Sequence, residues 1–152
     1  MPKHGVLLVL LFLLTGCDQA LTVPQQVIAV IRDMQSRVEA GERRPFMQHV
    51  AADFSGQGGQ MNRDQLNALV LYNLRRYDRL QAQLMPIQVV ETGPDRAQAS
   101  FRALLTGGPG WLPENGQVFN IETRWVRQDG EWLLLGADWN PVRLEDVLGP
   151  SN

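Results

Sequence analysis

The stretch Phe119-Asn120-Ile121-Glu122-Thr123-Arg124-Trp125-Val126-Arg127-Gln128-Asp129-Gly130-Glu131-Trp132 decides the fold. Phe119, Ile121, Thr123 and Trp125 alternate with Asn120, Glu122 and Arg124, the period of two expected of a strand with one face in a core. Gln128-Asp129-Gly130 is a hairpin signal, because Asp-Gly supplies the positive φ angles that a tight turn requires. Residues 131–139 then read as the returning strand. Upstream, Ala97, Ala99, Phe101, Ala103 and Leu105 alternate with Gln98, Ser100, Arg102 and Thr106. A further strand over Ile87-Gln88-Val89-Val90-Glu91 precedes the turn Thr92-Gly93-Pro94-Asp95. Residues 107–116 read as a loop carrying Trp111 between Pro109 and Pro113. These segments make four strands of an antiparallel meander.

Before Pro86 the period is helical. Thr22-Val23-Pro24-Gln25 has the N-cap, first-turn Pro and third-position Gln of a capping box. Val27, Ile31, Met34 and Val38 follow on one helical face, and Gly41 ends that helix. Arg43-Arg44-Pro45 opens a short second helix with Phe46, Met47 and Val50 apolar. Ser55-Gly56-Gln57-Gly58-Gly59 reads as a loop, and Asn62-Arg63-Asp64-Gln65 as another capped start. Leu66, Leu69, Val70, Asn73, Tyr77 and Leu80 mark the face expected of a third helix. Helices first and strands afterwards predict an α+β fold, three N-terminal helices packed on a four-stranded antiparallel sheet.

Composition narrows the function classes. The chain has 152 residues, 44% of them hydrophobic and 20% charged, which suits one folded domain and excludes a disordered or low-complexity chain. A formal net charge of −2 argues against a broad nucleic-acid surface. One Cys and two His, with scattered carboxylates, give no metal-ligand cluster, and no cofactor is expected.

The N-terminus carries a separate message. Lys3 precedes the apolar run 6–14, too short to span a bilayer but of the length of a secretory h-region. Leu14-Thr15-Gly16-Cys17 then resembles the processing site of a bacterial lipoprotein signal, in which the Cys is acylated and becomes the first residue. A thioether-linked lipid removes a thiol that would otherwise invite mispairing in an oxidising envelope. Two or more acyl chains, palmitate among them, anchor stably at about 0.8 kcal/mol per buried CH₂. Under the lipoprotein sorting rule, Asp18 after Cys17 favours the inner membrane over the outer. The expected organisation is a signal peptide over 1–16, a lipidated start and short tether over 17–22, one domain over 23–142 and a tail over 143–152. Four extended residues reach only ~13–14 Å, so the domain is expected near the membrane surface.

The domain resembles the nuclear transport factor two-like superfamily, whose fold is a cystatin-like α+β cone. The resemblance rests on the element order and on three segments: Ala52-Asp53-Phe54 after the second helix, the hairpin Trp125-Val126-Arg127-Gln128-Asp129-Gly130-Glu131-Trp132, and the final strand 133–139. It implies a curved sheet facing the first helix around a conical pocket, and a superfamily that includes isomerases, dehydratases, ligand-binding modules and adaptors. Contact candidates for the pocket or its loops are Phe54, Tyr72, Trp111, Trp125 and Trp139.

The ketosteroid isomerase branch uses an Asp base with a Tyr and a protonated Asp as oxyanion donors. The first helix here has no Tyr, so that set is incomplete. His49 and Asp53 stand four apart, a spacing that on a helix would place them on one face for proton transfer. Asp138, in an otherwise apolar strand, is a third candidate; Arg124 offers it an ordinary ion-pair partner instead. Arg75, Arg76 and Arg79 suit a helix C-terminus. The expectation is a membrane-anchored, non-catalytic binding or assembly module for an envelope protein or a small apolar ligand, with a homodimer through the sheet as a further possibility. The alternative is an isomerase- or dehydratase-like enzyme using His49, Asp53 and Asp138.

Overall fold

The computed structural model describes residues 19–108 and 115–143; Cys17, Asp18 and Trp111 lie outside them. Three helices come first: α1 (Val23–Glu39), α2 (Arg43–Gln48) and α3 (Arg63–Arg76). Between α2 and α3, strands β1 (Ser55–Gly56) and β2 (Met61–Asn62) form a two-stranded ribbon closed by a 3₁₀ turn at Gln57–Gly59, where a plain loop is expected from composition. Five strands follow: β3 (Arg79–Leu84), β4 (Gln88–Gly93), β5 (Arg96–Gly108), β6 (Asn115–Gln128) and β7 (Glu131–Pro141). They form one antiparallel sheet in the order β3-β5-β6-β7, with β4 pairing β5 along the same edge as β3.

Both capping boxes form. Thr22 Oγ1 accepts from the Gln25 amide while Gln25 Oε1 accepts from the Thr22 amide, and Asn62 and Gln65 exchange the same pair of bonds. Each satisfies two amides that a helix start leaves without an intrahelical partner.

The sheet has five strands rather than four, and the extra one corrects the reading of the third helix. Helix α3 stops at Arg76, Tyr77 is extended (φ −117°, ψ 121°), and residues 79–84 pair with residues 103–108 of β5. Leu80, Ala82 and Leu84 point inward while Arg79, Gln81 and Gln83 are exposed, so Leu80 belongs to a strand period. The outer edge of β3 is not left bare. The Ala82 amide donates to Glu39 Oε1 at 2.9 Å, and its carbonyl accepts from Gln35 Nε2 at 2.5 Å, both from α1. Side-chain cover of this kind blunts an edge against further strand pairing. Strands β5 and β6 also run further than the alternation alone indicates, to Gly108 and from Asn115, so residues 107, 108, 115 and 116 of the expected ten-residue loop belong to strands and its remaining residues lie outside the described ones.

The core is fullest where α1, α2 and the β6–β7 hairpin meet. Val27, Met47, Val50, Phe54, Trp125, Trp132 and Leu134 are buried there, against the small residues Ala97 and Ala99 of β5. The connection after α2 is tied to β7: the Ala51 amide donates to the Leu134 carbonyl (3.0 Å) and the Leu134 amide to the His49 carbonyl (2.7 Å). Trp132 Nε1 donates to Gln26 Oε1 of α1 at 2.8 Å, and the Arg127 amide to the Asp95 carbonyl at 2.9 Å. The start of α1, the β4–β5 turn and the β6–β7 turn thus gather at one end of the sheet. Leu135 is an extra residue on β7, because Arg124 pairs with Gly136 and Trp125 with Leu134. A bulge of this kind sharpens the local twist and bends the strand.

A candidate ligand cavity

At the other end of the sheet the helices and strands do not close. A cavity of about 810 Å³ lies between the C-terminal half of α1, helix α3 and strands β3, β5, β6 and β7. Ile31, Met34 and Val38 line it from α1, Leu66, Leu69 and Val70 from α3, and Leu80, Ala82 and Leu84 from β3. Phe101 and Leu105 of β5 and Phe119 and Ile121 of β6 complete most of the wall. Trp125 and Trp139 both line it as well, consistent with the strand period that points them inward.

Trp125 forms the floor. It is 2% exposed, and its indole Nε1–H donates to Thr123 Oγ1 at 2.8 Å. Thr123 donates in turn to the Ala99 carbonyl at 3.1 Å. Thr123 is the one buried polar residue among the described residues, and the chain of two bonds leaves the floor without an unpaired donor. The polar lining is Gln35, Asn73, Thr106, Gln117 and Thr123, together with Arg76 and Tyr77. Asn73 Nδ2 is already committed to the Leu69 carbonyl (2.9 Å). No Asp, Glu or His among the described residues lines the cavity.

The three proton-transfer candidates lie elsewhere and are not brought together. Helix α2 ends at Gln48, so His49 is its C-cap, and Asp53 falls in an exposed turn rather than one helical step further on. His49 Nε2 instead lies 2.6 Å from Asp33 Oδ2 of α1, and the same carboxylate oxygen accepts from Arg37 Nε at 3.3 Å. Those bonds, the one from His49 first and then the one from Arg37, hold the Asp33 carboxyl below the usual carboxylate range. The Arg37 contact has the i,i+4 spacing of a helical pair, but nothing local signals the one to His49, which is 16 residues away at the C-cap of another helix.

Asp138 is bound on the far side of β7 from Ala137 and Trp139, both of which line the cavity. It accepts from the Gly58 amide at 2.8 Å and from Arg124 Nη1 at 2.9 Å. The Gly58 amide, with Arg124 acting in the same direction, lowers its pKa against the opposing effect of burial. Gly136 makes room for this pair: a Cβ there would stand 2.2 Å from Arg124 Nη2. Arg124 Nη2 also donates to the Ser55 carbonyl at 2.9 Å, so Asp138 and Arg124 together hold the β1–β2 ribbon against the sheet.

Of the contact candidates, Phe54 is 3% exposed and belongs to the packed core rather than to the cavity. Tyr72 is 56% exposed and off the wall, but its hydroxyl accepts from Arg76 Nη1 at 2.6 Å. Tyr77 lies at the rim, its ring against the Gly107 backbone, where a Cβ would approach ring carbons to 2.7 Å. Arg76 is the only charged residue among the described lining. The sequence reading assigns it to the helix end. Its two neighbouring tyrosines, four before and one after, are the signal that sets it apart from Arg75 and Arg79.

No protein-family model and no curated protein matches this sequence. Solved structures do. An uncharacterised protein with a cystatin-like fold from Caulobacter vibrioides superimposes with a TM-score of 0.69 at 15% identity, over 82% of this chain and 93% of that one. A proposed dehydratase of the NTF2-like family from Streptomyces avermitilis gives 0.67 at 19% identity, over 78% and 94%. Bd1075 from Bdellovibrio bacteriovorus gives 0.68 at 9% identity over 78% of this chain, which spans only 41% of that longer protein. At such identities the likeness concerns architecture and not activity. The described chain has the NTF2-like, cystatin-like α+β fold, with an open apolar cavity at one end of its sheet.

Proposed function

We propose that this protein is a lipid-anchored envelope protein that holds a small apolar ligand in the open end of its cone and performs no chemistry on it. The observation that carries the reading is the cavity of about 810 Å³, within the size range of ligand sites and walled by aliphatic and aromatic side chains. Acid–base catalysis needs a titratable group within hydrogen-bond reach of the reacting atom. His49 and Asp138 are instead paired with Asp33 and Arg124, and Asp53 sits in an exposed turn. The dehydratase alternative has the close His49–Asp33 pair in its favour. An ionised Asp33 can only accept, so Nε2 carries the proton, and neither residue lines the cavity.

The anchor belongs to the same reading. Val23 shares a shallow depression with Pro94, Asp95, Arg127 and Trp132 at the packed end of the sheet. An acylated Cys17, six residues before Val23, tethers that end to the bilayer and leaves the mouth pointing away from it. The ligand is then delivered from the periplasmic side rather than drawn straight from the lipid beneath, with the inner membrane the favoured site through Asp18.

Mass spectrometry of the protein extracted from bacterial membranes tests both parts. The expected result is an acyl-modified Cys17 and, under native conditions, a retained small apolar molecule that Leu105→Trp expels. An unmodified thiol would end the anchor claim; a ligand that persists in Leu105→Trp would place binding outside the cavity.

A further inference from the structure

Arg76 is one of several arginines held by neutral partners, as Arg43 is by Asn67 and Arg102 by Asn120, and among the described residues it is the one arginine that lines the cavity. Arg37 meets Asp33 and Glu42, Arg124 meets Asp138, and Arg127 stands 3.5 Å from Asp95. Arg76 has no carboxylate partner among the described residues. Its guanidinium is nevertheless held: Nη1 donates to Tyr72 Oη, and the group lies 5.9 Å from the Tyr72 ring centroid and 5.7 Å from that of Tyr77. A solvated surface arginine has no need of two aromatic supports, which restrict it and lower the entropy cost of a further bond. It stands on the lining of a cavity whose other described side chains are uncharged.

We propose that the cavity takes an amphipathic monocarboxylate, its apolar body against Leu80, Leu105 and Phe119 and its acid group on Arg76. The inference rests on the reading of the cavity as a ligand site and adds the chemical class of its occupant. The guanidinium presents a planar fork of donors that matches a carboxylate with two parallel bonds, and one bond to Tyr72 leaves the rest of that fork available. An apolar body buried in the cavity and an acid at its rim satisfy both halves of the site. A neutral alcohol of equal chain length satisfies only the first.

Trp125 and Trp139 line the cavity, so intrinsic fluorescence reports occupancy. The test titrates the purified full-length chain with decanoate and with decanol at pH 8 and low salt, and compares the two dissociation constants. The expected result is a preference for decanoate of about tenfold or more, the size of a charge-assisted contact. That preference shrinks as salt is raised. In Arg76→Gln the ratio falls to about one, while Arg75→Gln, one position away and off the cavity, keeps it. Circular dichroism melting confirms that both variants are folded. Equal binding of acid and alcohol to the wild type overturns the proposal and leaves the cavity reading standing, as does a ratio that survives in Arg76→Gln. Saturable binding of neither compound overturns both.

Discussion

The two ends of the sheet carry the same alternation of apolar and polar residues and use it differently. At the packed end Val27, Val50, Trp132 and Leu134 fill the space between helices and sheet, and β5 contributes only Ala97 and Ala99 to that face. At the open end the facing residues are larger, Phe101, Leu105, Phe119 and Ile121, yet they wall a cavity instead of filling it. Residue size does not make the difference. The packed end has α1, α2 and the hairpin drawn together by backbone bonds at His49, Ala51 and Leu134 and by the Trp132–Gln26 contact. The open end has α3 leaving toward β3, with Arg76 and Tyr77 at the rim. Trp125 belongs to both ends, buried in the packed core and on the lining of the cavity.

That comparison is breakable by mutation. Trp125→Ala removes a fully buried aromatic together with the floor, and its expected cost is about 3–5 kcal/mol by urea unfolding. Phe119→Ala at the half-exposed open end should cost under about 1.5 kcal/mol by the same measurement. Equal costs would mean that the open end is as tightly packed as the other. Next in size, Thr123→Val leaves the Trp125 indole N–H buried without a partner, for a loss of about 1–3 kcal/mol. Gly56→Ala is expected to cost a similar ~1–3 kcal/mol as overpacking, because the new Cβ would stand 2.7 Å from the Ala137 carbonyl oxygen and 2.9 Å from Phe54 Cζ. A melting temperature unchanged by Gly56→Ala would show that the β1–β2 ribbon is loosely applied to β7.

The smallest effect concerns acid. The Asp138 carboxyl is held below its ordinary value of 3.8 in the folded chain. Its contribution to stability is therefore complete above the unfolded value and is lost as pH falls through the lower folded value. Asp138→Asn should cost about 1 kcal/mol near neutrality. The gap from wild type should begin to close as pH falls below the ordinary value of 3.8 and go on closing as the lower folded value is passed, in chemical denaturation run across pH. A gap that stays constant with pH would assign the effect to the shape of the side chain instead of its charge.

How much of this was legible in the residues depends on how local the signal is. Residues 119–139 declare two strands and their turn, since alternation and Asp129-Gly130 are features of adjacent positions. Strand β3 is hidden for the opposite reason. Tyr77 and Leu80 continue the helical spacing of Leu66, Val70 and Asn73, and only pairing with residues 103–108 makes 79–84 extended. The His49–Asp53 spacing suggests a shared face, but one short helix turn ends at Gln48 and the histidine finds Asp33 instead. The cavity itself leaves no mark in the pattern. Apolar residues that fill a core and apolar residues that wall a void share one alternation, and the distinction arises from how far apart the helices stand.

The most direct test of the account is saturation binding of a neutral apolar fluorophore such as N-phenyl-1-naphthylamine to the purified chain, wild type against Leu105→Trp. The account predicts one saturable site in the wild type and at least about tenfold weaker binding in Leu105→Trp at an unchanged melting temperature, as expected when a bulky ring occupies the open end. Saturable binding that is indifferent to Leu105→Trp, or no saturable binding in the wild type, would contradict it.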